Sequence, residues 1–477
     1  MSLDYEATRD FKGSINRVVD GAFFPTSPAA TLRESIFSEI IAGVLGVSPE
    51  TEDLDDLKDA IQAHEAIQGD EAKTEKAWSV FVESYTTTGS RGARGSAAKR
   101  YVLPFHPEIA KSIKPKETRN WGKWYRMLMS SGSPPVFNQE LHASFVDRLE
   151  SMEPSNLFEQ IIVEAAADLN QSTGGDTETE PDPIRPYVEA SADRFQEDLA
   201  VWLEDDYDSS TNWLQATKDL FCFHFMMYYL QLSLNLRKEF QAVDPAMEES
   251  YHPQIKPIYF GLWDEPASRD RRFSKEWRER EDRGLKRFVY DSWPRLNVVN
   301  QINGVIEESA ISTDRETYSL SEAVAELPAK THASSTRAIA EFAGFDAGSV
   351  SLPEASTSLV RAIRNYYEDK SKANQTPISM GVNVIRQLGE GQQCRYYRTQ
   401  RRVGPTLRLN RSALRFFARL FAMNNDERHY DQFQTYLNRR GVYMDSQSQD
   451  IALDELDEMG LIDRQSDSGG AVYVRAI

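Results

Sequence analysis

The chain has 477 residues, 40% of them hydrophobic and 11% aromatic, which is enough for two to four globular domains with buried cores. Lys and Arg number 55 against 74 Asp and Glu, and the resulting net charge of −19 argues against a protein that coats nucleic acid indiscriminately. The basic side chains divide into 17 Lys and 38 Arg, and an acid excess with scarce Lys suits a salt-rich cytoplasm.

Cys222 and Cys394 stand far apart, each without a neighbouring Cys, so a disulfide framework and a zinc knuckle are both excluded and a reducing, cytoplasmic setting is expected. Asp4, Glu6 and Asp10 occupy the place where a signal peptide would need basic and apolar residues. The most apolar stretch, Leu220 to Leu236, contains His224, Gln231, Ser233 and Asn235, and reads as a buried helix and not a membrane anchor.

In chain order, residues 1–169 read as a helical N-terminal domain, with apolar residues at three- and four-residue steps over Leu32–Leu45, Leu54–Ile67 and Leu141–Asp168. Within it, 87–126 is a basic loop: the glycine-flanked Arg91 and Arg94, then Lys99, Arg100, Lys111, Lys114 and Lys116, then Trp121 and Trp124, which read as core or interface anchors. Residues 170–185 are acidic and rich in Gly and Pro, the composition of a linker or mobile loop. A helical middle domain follows over 186–333, built around Phe221, Phe223, Phe225, Tyr228 and Tyr229. Its nine basic residues between Arg269 and Arg287 are mixed with acids in the manner of a solvated, salt-bridged helix.

The C-terminal region, 334–477, changes texture. Between residues 381 and 420 nine Arg face a single acid, Glu390. Arg395-Tyr396-Tyr397-Arg398 and Thr406-Leu407-Arg408-Leu409 bracket Gly404-Pro405 as a hairpin, with Arg401 and Arg402 near its tip. A helix starts at Asn410, with Leu414, Phe417 and Phe421 turned to the core and Arg411, Arg415 and Arg419 recurring at four-residue steps. Like charges at that spacing oppose the helix unless an anion relieves them. Two anions qualify: a phosphate backbone, with Tyr396 and Tyr397 available to stack, or an acidic helix of the same domain.

That acidic helix opens at the cap candidates Asp445 and Ser446, carries Ala452, Leu456 and Met459 on its apolar face, and stops at Gly460. Leu461 and Ile462 begin a strand, Asp467-Ser468-Gly469-Gly470 turns it, and Ala471–Arg475 returns. Helix, strand, wing and strand describe a winged helix-turn-helix over about 405–477, and the expected class is a mainly α, multi-domain protein ending in this α+β unit. A recognition helix for DNA should present basic or amide side chains to base edges. This one presents Asp450, Asp454, Glu455, Asp457 and Glu458, the pattern of a partner-binding face, while Arg464 and Arg475 flank the wing.

No phosphate-cradling loop is present, the seven His never pair at metal-ligand spacing, and no acidic cluster of the metal-nuclease kind follows a strand, so neither catalysis nor a cofactor is expected. His224, inside the most apolar helix, reads as a satisfied core residue.

Three runs, Pro405-Thr406-Leu407-Arg408-Leu409-Asn410, Arg440-Gly441-Val442-Tyr443-Met444-Asp445 with Ser448-Gln449, and Ser466 through Arg475, resemble the DptG-type subunit of DNA phosphorothioation-dependent restriction systems. The resemblance covers about 80 C-terminal residues. It implies a non-catalytic component working beside ATPase and translocase-like partners in defence against foreign DNA. On that expectation Arg395, Arg398, Arg401, Arg402, Arg408, Arg411, Arg415, Arg419, Arg464 and Arg475 contact duplex DNA without sequence preference, and the acidic helix recruits a partner. The alternatives are a winged-helix transcription regulator and a nuclease with a cryptic site in the helical middle.

Overall fold

The computed structural model describes residues 21–25, 44, 55–88, 100–102, 106, 108–109, 121–154, 156–173, 183–204, 210–243, 250–266, 271–275, 284–308, 317–344, 346, 348, 350–369, 372–390, 393–400, 404–425, 428–465 and 471–475. Sixteen helices and a few short sheets lie among them, so the protein is mainly helical. The expected segment Leu32–Leu45 apart from Val44, and Arg91, Arg94, Arg401, Arg402 and the turn at 467–470, lie outside the described residues.

Two cores organise the chain. The smaller joins α1 (Asp55–Ala63), α2 (Glu71–Tyr85) and α5 (Leu157–Thr173) through Leu57, Ile61, Phe81, Ile161 and Ile162. Between α2 and α5 run a small hairpin of β1 (Thr86–Thr88) and β2 (Arg100–Val102), α3 (Trp121–Leu128), a second hairpin of β3 (Ser130–Ser131) and β4 (Val136–Phe137), and α4 (Gln139–Glu150). The continuous helical pattern expected over Leu141–Asp168 is thus two helices. Pro154 falls in the break, where it cannot continue a hydrogen-bond ladder.

The larger core extends from Phe23 to Val474 without interruption. Its spine is α7 (Ser210–Ala242), the stretch expected to be buried: Phe221, Phe223, Phe225, Tyr228 and Tyr229 are all enclosed. A helix apolar on every side is stable in water only when neighbours cover every side. Here α6 (Glu189–Leu203), α9 (Lys286–Glu308) and α13 (Lys372–Gly389) pack on it, with α10 (Leu320–Glu326), α11 (Ala329–Ala343) and α12 (Leu352–Glu368) beyond. Among the described residues no helix is long and apolar enough to cross a membrane. Trp121 and Trp124 also sit in this core, as anchors.

Local chemistry fixes these helices. α10 and α12 open with capping boxes, Ser319 with Glu322 and Ser351 with Glu354, and α11 ends at Gly344 in the left-handed region. Pro294 inside α9 removes one donor, and the Arg295 guanidinium donates instead to the carbonyls of Tyr290, at 3.4 Å, and Asp291, at 2.7 Å. At Gly381 a Cβ would stand 2.7 Å from Val289 and 2.8 Å from Trp293, so α13 approaches α9 only because that position lacks a side chain.

The C-terminal elements are β7 (Tyr397–Gln400), β8 (Gly404–Leu409), α14 (Arg411–Asn424), α15 (Tyr430–Arg439), β9 (Val442–Tyr443), α16 (Ser446–Glu458), β10 (Ile462–Gln465) and β11 (Ala471–Val474). The hairpin of β7 and β8, expected from sequence, is antiparallel with Tyr397 opposite Leu407. Asn410 caps α14 through the Ala413 N–H and Asp445 caps α16 through the Ser448 N–H. Between the middle helices, β5 (Ile258–Tyr259) pairs in parallel with β9 and β6 (Gly261–Leu262) pairs in parallel with β8; α8 (Arg272–Lys275) follows them.

Through these pairings and the continuous core, residues of the expected middle region 186–333 and of the expected C-terminal region 334–477 contribute to one interior. The expected linker also shrinks: α5 runs through Thr173, and Arg185 makes a bidentate pair with Glu322 at 2.7 and 2.9 Å, while residues 174–182 lie outside the described set.

Candidate functional site

The Arg-rich hairpin and α14 do not form one continuous basic track. Arg408 is fully buried; its side chain donates to the carbonyls of Leu262 and Glu265, each at 2.7 Å, and of Trp263 at 3.2 Å, and lies over the Phe273 ring. Burial, with the Arg398 charge nearby, pulls it down to about 10, still protonated at neutral pH. A guanidinium committed to three inward carbonyls cannot reach a phosphate, so Arg408 is removed from the DNA-contacting set. The sequence hid this because in a strand alternate residues face opposite sides, and an Arg on the inner side is legible only once its acceptors are known.

Arg398 is half-buried, stacked on Trp263, bonded to that residue's carbonyl and 3.6 Å from Asp264. The two tyrosines expected to stack on bases are core residues: Tyr396 packs between Phe223 and Phe417, and Tyr397 is covered by Arg386. Neither offers a face to a nucleic acid.

On α14, Arg411 and Arg415 are exposed and Arg419 is half-buried. Arg411 pairs with Glu458 of α16, so the acidic helix does meet the stripe, at this one position among the described residues. Arg464 pairs with Asp457 at 2.9 Å, and Arg475 with Asp463 at 3.8 Å. Arg395 and Arg415 are exposed and have no ion pair among the described residues. Among the described residues the outward cations at the C-terminal unit are therefore Arg395, Arg411, Arg415, Arg439, Arg464 and Arg475, of which Arg411, Arg464 and Arg475 are already countered.

The five acids of α16 divide four to one: Asp450, Asp454, Asp457 and Glu458 are exposed, whereas Glu455 is buried. Burial raises the Glu455 carboxyl; Arg411 opposes that, and the charges of Asp264, Glu458 and Glu265 reinforce it. Glu455 thus leaves the partner-binding set, and the exposed face keeps four carboxylates.

Two buried polar clusters, neither signalled by sequence spacing, attach this unit to the helical body. In the first, the Asp198 carboxylate of α6 accepts from Arg440 Nε at 2.6 Å, from Tyr436 Oη at 2.8 Å and from His224 Nε2 at 3.0 Å, with Arg440 Nη2 making a further contact. Burial would raise Asp198, but the Arg440 charge and the bonds from His224 and Arg440 bring it to about 2. His224 is held below its ordinary value by burial and by the Arg440 charge, against the pull of Asp198, so it stays neutral. It is the satisfied core histidine its sequence context suggested.

In the second cluster, Arg271 pairs with Glu265 and Asp445 and reaches Ser448 Oγ at 2.8 Å; Ser448 in turn donates to Glu265 at 2.9 Å. Glu265 also accepts from the Leu262 N–H at 2.9 Å. Burial alone would raise Asp445, and Arg271 outweighs it, so the carboxyl lies below its ordinary value at the α16 N-terminus. Arg271 belongs to the stretch expected to be a solvated helix. Its 12% side-chain exposure shows that at this position the charge is structural glue inside a junction.

Among the described residues no group of three or more His, Cys, Asp or Glu could hold a metal ion. No protein-family model matches the chain, and no curated protein matches it.

Proposed function

We propose that the protein is a non-catalytic, DptG-type subunit of a DNA phosphorothioation-dependent restriction complex, in which a C-terminal winged helix acts as an adaptor for ATPase and translocase-like partners. The order α14, a single bridged residue, α15, α16, β10, β11, with the two-residue β9 between α15 and α16 pairing outward to β5, supports the winged-helix reading. His429, between the first two helices, pairs with Tyr473, which adds a third strand position beside the β10–β11 hairpin. The helix in the recognition position is α16.

The observation that carries the adaptor reading is the outward face of α16, with Asp450, Asp454, Asp457 and Glu458 exposed and no cation of its own. Such a face repels phosphate and steers a basic protein surface. A subsidiary, sequence-independent contact to duplex DNA falls to Arg395 and Arg415, with Arg411, Arg464 and Arg475 available once their surface pairs, worth at most about 1 kcal/mol each, exchange for phosphate.

The test is capture of the partner subunits by the full chain, alongside a DNA titration at fixed salt. Changing Asp450, Asp454 and Asp457 to Asn and Glu458 to Gln should weaken capture and leave DNA affinity unchanged or higher. Collapse of DNA binding with capture intact would overturn the assignment.

A further inference from the structure

A cleft of about 310 Å³ opens between α7, the segment entering β5 and the start of α9. Its walls carry Arg237, Lys238, Lys256 and Arg287, and its apolar side is Leu234, Pro257, Ile258 and Phe288. We propose that this cleft binds a phosphate ester carrying a flat apolar body, the chemistry of a nucleotide, either free or at the 5′ end of a DNA strand.

The argument starts from charge. One carboxylate, Asp291, serves three guanidiniums: Arg237 at 3.4 Å, Arg287 at 3.7 Å and Arg295 at 3.9 Å. Asp291 is 3% exposed, so it orients these groups from behind and does not itself face the opening. Among the described residues Arg237 has no second acid, and Lys238 and Lys256 have none. The next carboxylate along α7, Glu239, is buried and engaged elsewhere, accepting from Tyr187 Oη and from the Ser321 N–H and hydroxyl. Positive charge gathered in a concave site, with no acid on Lys238 or Lys256 among the described residues, focuses its field outward and favours an anion.

The cleft is also built to hold its shape. Lys256 is fixed by its backbone, whose N–H donates to Gln231 Oε1 and whose carbonyl accepts from Gln231 Nε2, both at 2.7 Å, and its ammonium lies over the Tyr251 ring. Cations placed before the ligand arrives lose less freedom on binding it. A purely inorganic anion would use only the charged wall. The buried Ile258 and Phe288 beside it give an apolar body a surface to cover, and the volume falls within the range of small-ligand sites.

This inference is independent of the Arg395 and Arg415 contact proposed above. Calorimetry on the full chain would use deoxyadenosine triphosphate, inorganic pyrophosphate, and a single-stranded oligonucleotide with either a 5′ phosphate or a 5′ hydroxyl. The triple variant Arg237→Gln, Lys238→Gln, Lys256→Gln removes three of the four cleft charges and leaves Arg287 and Arg295 on Asp291, and its thermal unfolding checks that it folds; Lys238→Gln alone, at an exposed position, is the fallback. The nucleotide should bind more tightly than pyrophosphate and lose about tenfold or more in affinity in the triple variant, with a smaller loss for Lys238→Gln. Binding only of the 5′-phosphorylated oligonucleotide, weakened by the same changes, would assign the strand end as the source. Affinity unaffected by these variants, pyrophosphate binding as well as the nucleotide, or no binding of any probe would overturn the proposal.

Discussion

Removing Arg440 would leave the Asp198 carboxylate buried with only His224 and Tyr436 beside it, and breaking a buried ion pair from one side costs far more than replacing both partners. Arg440→Met should therefore destabilise the fold by about 3–5 kcal/mol in a denaturant titration, and pairing it with Asp198→Leu should recover most of that loss. If the double variant is no better than the single one, the ion pair is not the source of the cost. The Asp198 carboxylate and its neighbour His224 set an acid limit. Both groups have folded values below their unfolded ones, so both contribute stability at neutral pH that is lost as pH falls: His224 below about 6.5, and Asp198 from about 3.8 towards its folded value of about 2. Within either window the slope is at most about 1.4 kcal/mol per pH unit for each group. Thermal melts from pH 8 to 3 should show a first decline below pH 6.5 that disappears in His224→Gln. At this scale the sequence separated core from surface well where a residue's type decides, as for Trp121, Trp124 and His224. It failed for Arg408, whose carbonyl acceptors lie more than a hundred residues away, and for Tyr396 and Glu455, which are buried by packing that no local spacing encodes.

The β7–β8 hairpin, α14, α16 and the β10–β11 hairpin were legible because they carry their own start and stop signals, whereas α15 and β9 were not read from the sequence. Asn410 and Asp445 cap helices, Gly404-Pro405 opens the returning strand of the hairpin, and Gly460 at φ 72° ends α16. The two parallel pairings were not, since each involves only two residues per strand and depends on the partner for its existence. Gly441 marks one such junction. Its φ of 84° and a Cβ position only 2.5 Å from Gln231 Nε2 leave no room for a side chain, and Gln231 is the residue that holds Lys256. Gly441→Ala should cost about 2 kcal/mol or more of stability. Where the variant still folds, nucleotide affinity at the Lys256 cleft should fall with it; full affinity would mean that Gln231 yields without moving Lys256. At two exposed cations without an ion pair among the described residues, Arg395→Glu before β7 with Arg415→Glu on α14 should lower the log–log salt slope of duplex binding by up to about two units, one per lost phosphate contact. An unchanged slope in a folded variant would remove this surface from the DNA-contacting set.

For the whole molecule the two cores define two units of stability. The larger one, continuous from Phe23 to Val474, should exchange its amide protons as a single block in which α7 and α14 share protection, whereas α1, α2 and α5 open at a different free energy. Hydrogen exchange read by mass spectrometry would distinguish this from three domains of the kind composition suggested; separate protection of α14 and α7 would contradict it. A fragment of residues 404–477 should not fold alone, because Arg440 and Asp445 would lack Asp198 and Arg271, and β8 and β9 would lack their neighbours.

The parallel pairs also bear on how the chain is made. Arg271 meets Asp445 across 174 residues of sequence, so on a ribosome adding about 5–20 residues per second it waits on the order of ten seconds or more for its counter-charge. Phe223 of α7 likewise waits for Phe417 of α14, its partner in the folded core. A slowed translation should therefore lower the yield of folded protein, measured as the soluble fraction, contrary to what a string of independently folding domains would do.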